Sequence, residues 1–471
     1  MKPNIVFLFG DQHRAQATGY AGNNDVKTPN IDFLARNSIN ITHAISSCPV
    51  CSPFRASLLT GTYPLTNGVF VNDVPLQRGD MVSAKISEPP FFLAEILKDA
   101  GYSTAYIGKW HLDGFADVGD GNGDSIGSRF AHIPKERRCG FDYWKVMECT
   151  HDYNNSLYWD DNNLKKWDGY DAIAQTKDAC RYIEEKKNQK KPFCLFLSWG
   201  PPHAPYHTAP TKYQEIYEET DLEIRPNVLE KDRLRAEIGL LGYYSHVSAL
   251  DDCVGMILTT LHQCGLDKNT ILVFTSDHGD MLYSQGKTKK QSPWDESIRV
   301  PFLIRWPNQL QPRRIEMILD SVDIMPTMLS LCQIPIPEMV EGKNLAPILL
   351  GDEDAKGRDA AFLNCAWPFA QWWRDVGGRE YRGLRTLQYT YVHDLDGPWL
   401  LYDNVRDPYQ LENLINNPSH EKIKNELDSM LQNKLKELND DFLYGGEYMK
   451  RWGYEIGNKG AVPYSNELRK Q

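Results

Sequence analysis

Three stretches of this chain share one form: an unbroken apolar run that stops at a cluster of polar, reactive residues. Asn4-Ile5-Val6-Phe7-Leu8-Phe9 leads to Gly10-Asp11-Gln12. Pro192-Phe193-Cys194-Leu195-Phe196-Leu197 leads to Ser198-Trp199-Gly200 and then His203. Thr270-Ile271-Leu272-Val273-Phe274 leads to Ser276-Asp277-His278-Gly279, and a weaker fourth run, Ser103 to Ile107, leads to Gly108-Lys109-Trp110-His111. Short runs without alternation read as strands buried on both faces, hence a mainly parallel sheet covered by helices.

Helices are expected between these strands. Ile31 to Arg36 follows a Pro-Asn entry, and Phe91 to Ala100 is apolar at helical spacing and ends at Gly101. Ala236 to Cys264 is long, with Leu240, Tyr244, Val247, Leu250, Val254, Ile257 and Leu261 on one stripe before Gly265. Strands alternating with helices predict an α/β domain over residues 1–350. Ligands then bind beyond the carboxyl ends of the strands, where all four runs carry their polar residues. Gly351-Asp352-Glu353-Asp354 reads as a linker. Beyond it, Tyr381 to Asp394 alternates as antiparallel strands do, Asp396-Gly397-Pro398 marks a turn, and Trp399 to Tyr402 is the paired strand. With a helix over Ile423 to Leu438, residues 351–471 predict a smaller α+β subdomain with an antiparallel sheet.

The net charge of −11 argues against a nucleic-acid partner, which needs clustered Lys and Arg. No apolar run reaches bilayer length, so no membrane span is expected. Met1-Lys2-Pro3 enters the first strand directly, without a small-residue cleavage site. The chain as it stands is therefore expected in the cytoplasm, or in the periplasm or outside the cell if a leader was removed. Its ten cysteines are scattered among apolar and helical surroundings, as buried reduced thiols are.

The most specific string is Cys51-Ser52-Pro53-Phe54-Arg55, followed by Ala56-Ser57-Leu58-Leu59-Thr60-Gly61. It reads as a helix start, with Pro53 in the first turn and Arg55 one turn in. A thiol there sits beside unpaired backbone N–H groups and the positive end of the dipole, a place for an anion. Cys48-Pro49-Val50-Cys51 also spells a Cys-x-x-Cys redox or zinc half-site, but no second cysteine pair completes a zinc site. Asp11, Gln12, Asp277 and His278 end two separate strands and together suit a calcium or magnesium ion. Lys109 and His111 are two residues apart and face the same way on an extended segment.

The Cys-x-Pro-x-Arg string resembles the signature of type I sulfatases, members of the alkaline phosphatase-like superfamily. In them this cysteine is oxidised to formylglycine by a sulfatase-maturing enzyme. Gly-Lys-Trp-His at 108–111 resembles the segment whose Lys binds sulfate and whose His contacts formylglycine. His203, in Pro201-Pro202-His203-Ala204-Pro205-Tyr206, matches the family's general acid for the leaving alcohol. Lys290 falls where a second sulfate-binding lysine stands, with Lys287 and Lys289 as rivals in register. The likeness continues through Asp320 to Thr327, Gly342 to Leu345, and Leu401 to Pro408, so it spans nearly the whole chain. The family commonly shows Asp-Asp at the first strand and Asp-Asn at the later one, and this chain departs from both.

The resemblance implies a sulfuric ester hydrolase holding Ca2+, with Mg2+ as the alternative. A hydroxyl of hydrated formylglycine attacks sulfur, and His203 protonates the departing alcohol. Deprotonation of the second hydroxyl, helped by His111, then expels sulfate and restores the aldehyde. Lys109, Lys290 and Arg55 neutralise the sulfate. The nearest look is to bacterial carbohydrate sulfatases, so a sulfated carbohydrate is the expected partner, with galactose or N-acetylgalactosamine as the sugar. Two polar, aromatic stretches suit a sugar ring: one with Arg137, Arg138, His151 and Asn154, the other with Trp372 and Arg374. Two alternatives stand beside this reading. One is a phosphonate monoester or phosphodiester hydrolase on the same scaffold; the other is a glycan-binding protein whose Cys51 is never modified.

Overall fold

The computed structural model describes residues 2–76, 91–114 and 128–463. Eleven strands form one large mixed sheet. They are β1 (Asn4–Asp11), β2 (Ile39–Ile45), β3 (Ser103–Lys109), β4 (Tyr143–Met147), β5 (Leu157–Asp160), β6 (Asn163–Lys166), β7 (Phe193–Pro202), β8 (Thr270–Ser276), β9 (Arg299–Val300), β10 (Phe302–Arg305) and β11 (Arg313–Asp320). The order is β11-β2-β10-β8-β1-β7-β3-β4-β5-β6, with β9 paired to β2. The four apolar runs are the contiguous centre, β8-β1-β7-β3, and every pairing among them is parallel. Antiparallel pairings enter only towards the edges, at β10, β9, β5 and β6.

The unbroken apolar runs follow from cores on both faces. Ile5, Phe7, Phe196 and Val273 point to one face, against the Cys51–Thr60, Leu93–Asp99 and Ile324–Leu331 helices. Val6, Leu8, Leu197 and Phe274 point to the other, against the Pro29–Arg36, Asp171–Lys186 and Arg233–Gln263 helices. Each fully buried side chain of this kind contributes about 1.5–3 kcal/mol relative to exposure. All seven residues of the apolar stripe on the Arg233–Gln263 helix are buried. Among the described residues, no helix is long and apolar enough to cross a membrane.

A second sheet contains β12 (Ala360–Cys365), β13 (Tyr381–Thr386), β14 (Tyr389–Asp394) and β15 (Gly397–Asp403), all antiparallel in chain order. Its first strand has no alternation, so the sequence carries no antiparallel signal there. The turn into β15 comes earlier than expected, because Asp394 already pairs with Gly397. One face of this sheet shares a core with Met281, Trp294 and Ile298 of the large body. The other is covered by Leu427, Leu431 and Leu435 of the Glu421–Leu438 helix.

A buried ion pair joins the two sheets' surroundings. Arg385 on β13 donates from Nε and Nη2 to both oxygens of Asp295, at 2.8 and 3.0 Å. Burial alone would raise the Asp295 carboxyl, but Arg385 outweighs it and holds the group well below the usual range. A depressed carboxyl stabilises the fold above its unfolded value of about 4, and that contribution is lost as pH falls towards the folded value. Arg385→Ala removes the forked partner and leaves the buried carboxylate to Arg299 at 3.4 Å; it is expected to cost about 3–5 kcal/mol at neutral pH. Thermal melts should show a lowered midpoint, with the gap to wild type narrowing below pH ~4; an unchanged midpoint at neutral pH would refute the assignment.

Candidate active site

Strand register sets the site. Gly10 pairs with Ser276, Asp11 with Pro202, and Gly108 with Ser198, so the polar residues after each run meet along one edge. Cys51 is the first residue of the Cys51–Thr60 helix, which Gly61 ends at φ 66°. Its thiol comes within 2.7 Å of Lys290 Nζ, 3.3 Å of His278 Nε2, 3.5 Å of Asp11 Oδ1 and 3.7 Å of Lys109 Nζ. Burial and Asp11 push this thiol up, yet Lys109, Lys290 and His278 overcome them and hold it well below its ordinary value. An anion at this position is therefore stabilised.

Lys109 also pairs with Asp11. Its place on β3 depends on Gly108, at φ 104°, where a Cβ would lie 2.0 Å from the Ser198 carbonyl oxygen. Lys290 is buried against Cys51, whereas Lys287 donates to the Val376 carbonyl and Lys289 is only half-buried. The geometry thus separates Lys290 from its rivals in register. Arg55 is anchored by several groups of the protein itself. Its terminal nitrogens reach Asp277 at 3.1 Å and, at 2.7 Å each, the Lys109 carbonyl and Ser198 Oγ. It ties the helix to the carboxylates and strand ends beside residue 51.

The carboxylates and one imidazole form the cluster suited to a metal. Ligand atoms of Asp11, Cys51, Asp277 and His278 all lie within 4.8 Å of one another. His278 Nδ1 sits 2.9 Å from the Gly279 carbonyl, to which it must donate. In the neutral ring Nε2 then carries a lone pair, and it faces Asp11 Oδ1 at 3.3 Å and Asp277 Oδ1 at 3.5 Å. Three acceptors converging need a proton or a cation among them. Without a cation the ring is held protonated, up to about 9, because burial is outweighed by Asp277. Gln12 contributes a buried Oε1 with no hydrogen-bond partner among the described residues. That oxygen and the carboxylates fit a hard divalent cation.

Two further histidines stand near the cluster. His111 has φ 59° and pairs through Nε2 with Asp73 at 2.9 Å, leaving Nδ1 without a hydrogen-bond partner among the described residues. His203 presents Nδ1 to the Ala204 carbonyl at 2.7 Å, so its neutral ring also carries the lone pair on Nε2. Burial first, then Lys290, holds His203 well below its usual value. His151 stacks on it, with ring centroids 4.5 Å apart.

The sugar-binding expectations divide. His151 lies at the site beside His203. Asn154 is exposed and donates to the Thr208 carbonyl, and Arg137 is paired with both oxygens of Asp113. Arg138 is corrected to a packing role: it is 1% exposed, donates to Ile133 O and Asp161, and stacks on Trp144. Trp372 is likewise buried, its indole N–H donating to the Arg379 carbonyl. Arg374 pairs with Glu380 and lies against Trp367, Trp373 and Tyr444. Aromatic stacking satisfies a guanidinium inside a fold as well as against a sugar, and sequence alone does not separate the two. The reading also missed Ser198, which anchors Arg55, and Asp73, which holds His111. Ser198 carried a signal, as the first polar residue after a buried strand.

Known proteins resemble this chain along most of its length. The family model described as Sulfatase matches residues 3–334, and that described as N-sulphoglucosamine sulphohydrolase, C-terminal, matches residues 285–438. The chain is 43% identical over 470 residues to an ulvan-active sulfatase of Formosa agariphila, covering 98% of this chain and 87% of the relative. It is 34% identical over 481 residues to an endo-4-O-sulfatase of Bacteroides thetaiotaomicron, covering 93% and 92%. A solved structure from the metabolism of multiple glycosaminoglycans by Bacteroides thetaiotaomicron superposes with a TM-score of 0.83 at 32% identity, covering 96% and 99%.

The Gly108 contact gives a direct test of how the strand end is built. Gly108→Ala combines positive φ with a clash against main chain, whereas Gly101→Ala, at φ 96°, meets nothing within 4 Å. Gly101→Ala should cost about 1–2 kcal/mol. Gly108→Ala should cost clearly more and displace Lys109, and equal thermal midpoints for the two variants would contradict this packing.

Proposed function

This chain belongs to the sulfatase family, and on that premise we propose that it removes sulfate from a sulfated polysaccharide with formylglycine at position 51 as nucleophile. The observation that carries this reading is the Cys51 side chain, ringed by Lys290, His278, Asp11 and Lys109 within 3.7 Å. Its sulfur marks where the oxygens of the hydrated aldehyde would stand.

Lys109 at the end of β3 and Lys290 on the loop after β8 bind the sulfate oxygens and favour charge growing on them. His203 enters the reaction neutral, since burial and Lys290 depress it. A bound sulfate ester brings negative charge beside Lys290, offsets its repulsion, and lets Nε2 carry the proton that the leaving sugar oxygen needs. His111, held through Nε2 by Asp73 at 2.9 Å, stands beside residue 51 to assist the deprotonation that reforms the aldehyde. Asp11, Gln12, Asp277 and His278 would hold a divalent cation, Ca2+ before Mg2+, whose charge when bound polarises the sulfate.

The ulvan-active and endo-4-O-sulfatase relatives support a sulfated polysaccharide as the substrate class. Ulvan joins sulfated galactose and N-acetylgalactosamine as the first substrates to screen. Phosphonate monoesters and phosphodiesters are the controls, and faster cleavage of these than of matched sulfates would overturn the reading.

The peptide containing residue 51, from protein made beside a sulfatase-maturing enzyme, is expected to carry the mass of the aldehyde. Cys51→Ala should lower turnover by about 10³-fold or more with the fold intact; retained turnover excludes the formylglycine mechanism. His203→Ala should slow esters of poor leaving groups far more than those of good ones. Equal losses across leaving groups would remove its acid role.

A further inference from the structure

Behind the carboxylate cluster lies a buried group that the reaction does not use. Asp280, fully buried, accepts Gln12 Nε2 at 2.6 Å and the Tyr206 hydroxyl on one oxygen. Its other oxygen accepts the backbone N–H groups of Leu282 at 2.9 Å and Lys289 at 3.1 Å. Gln12 Nε2 is also 3.4 Å from the Tyr206 oxygen. The Gln12 main chain is held separately. Its N–H donates to Asp277 Oδ1 at 3.0 Å, and its carbonyl accepts the Tyr243 hydroxyl at 2.6 Å.

These bonds decide which way the Gln12 amide faces. A glutamine amide has a donor end and an acceptor end, and either can be turned towards a neighbour. Asp280 offers only acceptors, and the Tyr206 hydroxyl has its proton on Asp280. Both neighbours therefore demand the NH2 end, and Oε1 is left buried with no partner among the described residues. A carboxylate is needed for this sorting, because an amide at position 280, its oxygen held by the Leu282 and Lys289 N–H groups, would turn its own NH2 towards Gln12. The same carboxylate holds the Lys289 N–H, one residue before Lys290, whose Nζ touches Cys51.

We propose that Asp280 is a positioning residue for the cation site: it turns the Gln12 oxygen towards the metal and pins the segment that carries Lys290. It also places a third carboxylate behind the pair formed by Asp11 and Asp277, next to a ligand that is itself neutral. Partners one shell out from a metal typically change its affinity 10–100-fold when removed. This inference rests on the reading of the Asp11–Asp277–His278 cluster as a metal site.

The test is calorimetric titration of CaCl2 into the full chain stripped with a chelator, with thermal melts of each metal-free protein alongside. If the wild-type chain binds no Ca2+, the metal reading fails and this inference falls with it. If it binds, Asp280→Asn should weaken Kd about 10–100-fold, because Gln12 is then free to present its NH2 end. Gln12→Asp has no donor end to sort, so adding Asp280→Asn to it should produce no comparable loss. Wild-type affinity in Asp280→Asn, or the same loss in both backgrounds, overturns the proposal while leaving the metal site standing. Should Asp280→Asn not fold, Tyr206→Phe decides: removing one bond to the carboxylate should weaken Kd about 2–10-fold, and unchanged affinity overturns the proposal.

Discussion

The structure turns on one buried carboxylate. Asp11 is inaccessible to solvent, and a charge so placed is tolerated only with close partners. It has them on every side: Lys109 from β3, Arg55 and Cys51 from the Cys51–Thr60 helix, His278 beyond β8, and Lys290 from a loop. Burial alone would raise Asp11, but Lys109 and Lys290 lead the interactions that hold it well below its ordinary value. Removing any one cation would leave negative charge in the interior, so the residues that bind an anion also keep the sheet edge intact. Only a residue on a central strand can draw partners from both sides, and β1 lies between β8 and β7.

Much of this was legible in the sequence because two signals coincided. Burial on both faces forced uninterrupted apolar runs, and the edge chemistry forced Asp11, Lys109, His203 and Asp277 to follow them. The outer strands β2 and β10 and the short β9 gave no such signal. β2 pairs antiparallel with both β9 and β10; Asn40, Thr42 and His43 interrupt its apolar run, and β9 and β10 are only two and four residues long. The ends of the long Arg233–Gln263 helix were within a few residues of expectation because its stripe persists over many turns.

The sugar-binding expectations fared differently for a physical reason. Arg138, Trp372 and Arg374 offer aromatic faces and forked donors, which are also what stabilises a buried cation–π stack. Arg138 over Trp144 and Arg374 among three rings use those properties internally. His151 differs, since its ring lies on His203 and not within a core cluster. Side-chain type predicts the contact a residue favours, while the fold decides whether that contact is with the protein or with a ligand.

The smaller sheet takes part in the same arrangement. The residue after Lys290 is Gln291, whose N–H donates to the Pro49 carbonyl, two residues before Cys51, at 3.1 Å. Its side chain donates to the Trp367 carbonyl at 3.0 Å, and its own carbonyl accepts the Tyr381 hydroxyl of β13 at 3.2 Å. Lys290 is thus held between Lys289, fixed to Asp280, and Gln291, fixed to the segment before Cys51 and to the second sheet. Placing the Lys290 Nζ 2.7 Å from Cys51 loses about 2 kcal/mol of side-chain rotamer entropy in any case, but the backbone beneath it need not be ordered as well. Part of the ordering is instead built into a loop whose two ends are tied to different layers of the molecule. That explains how a sheet remote in sequence from Cys51 bears directly on the geometry around it.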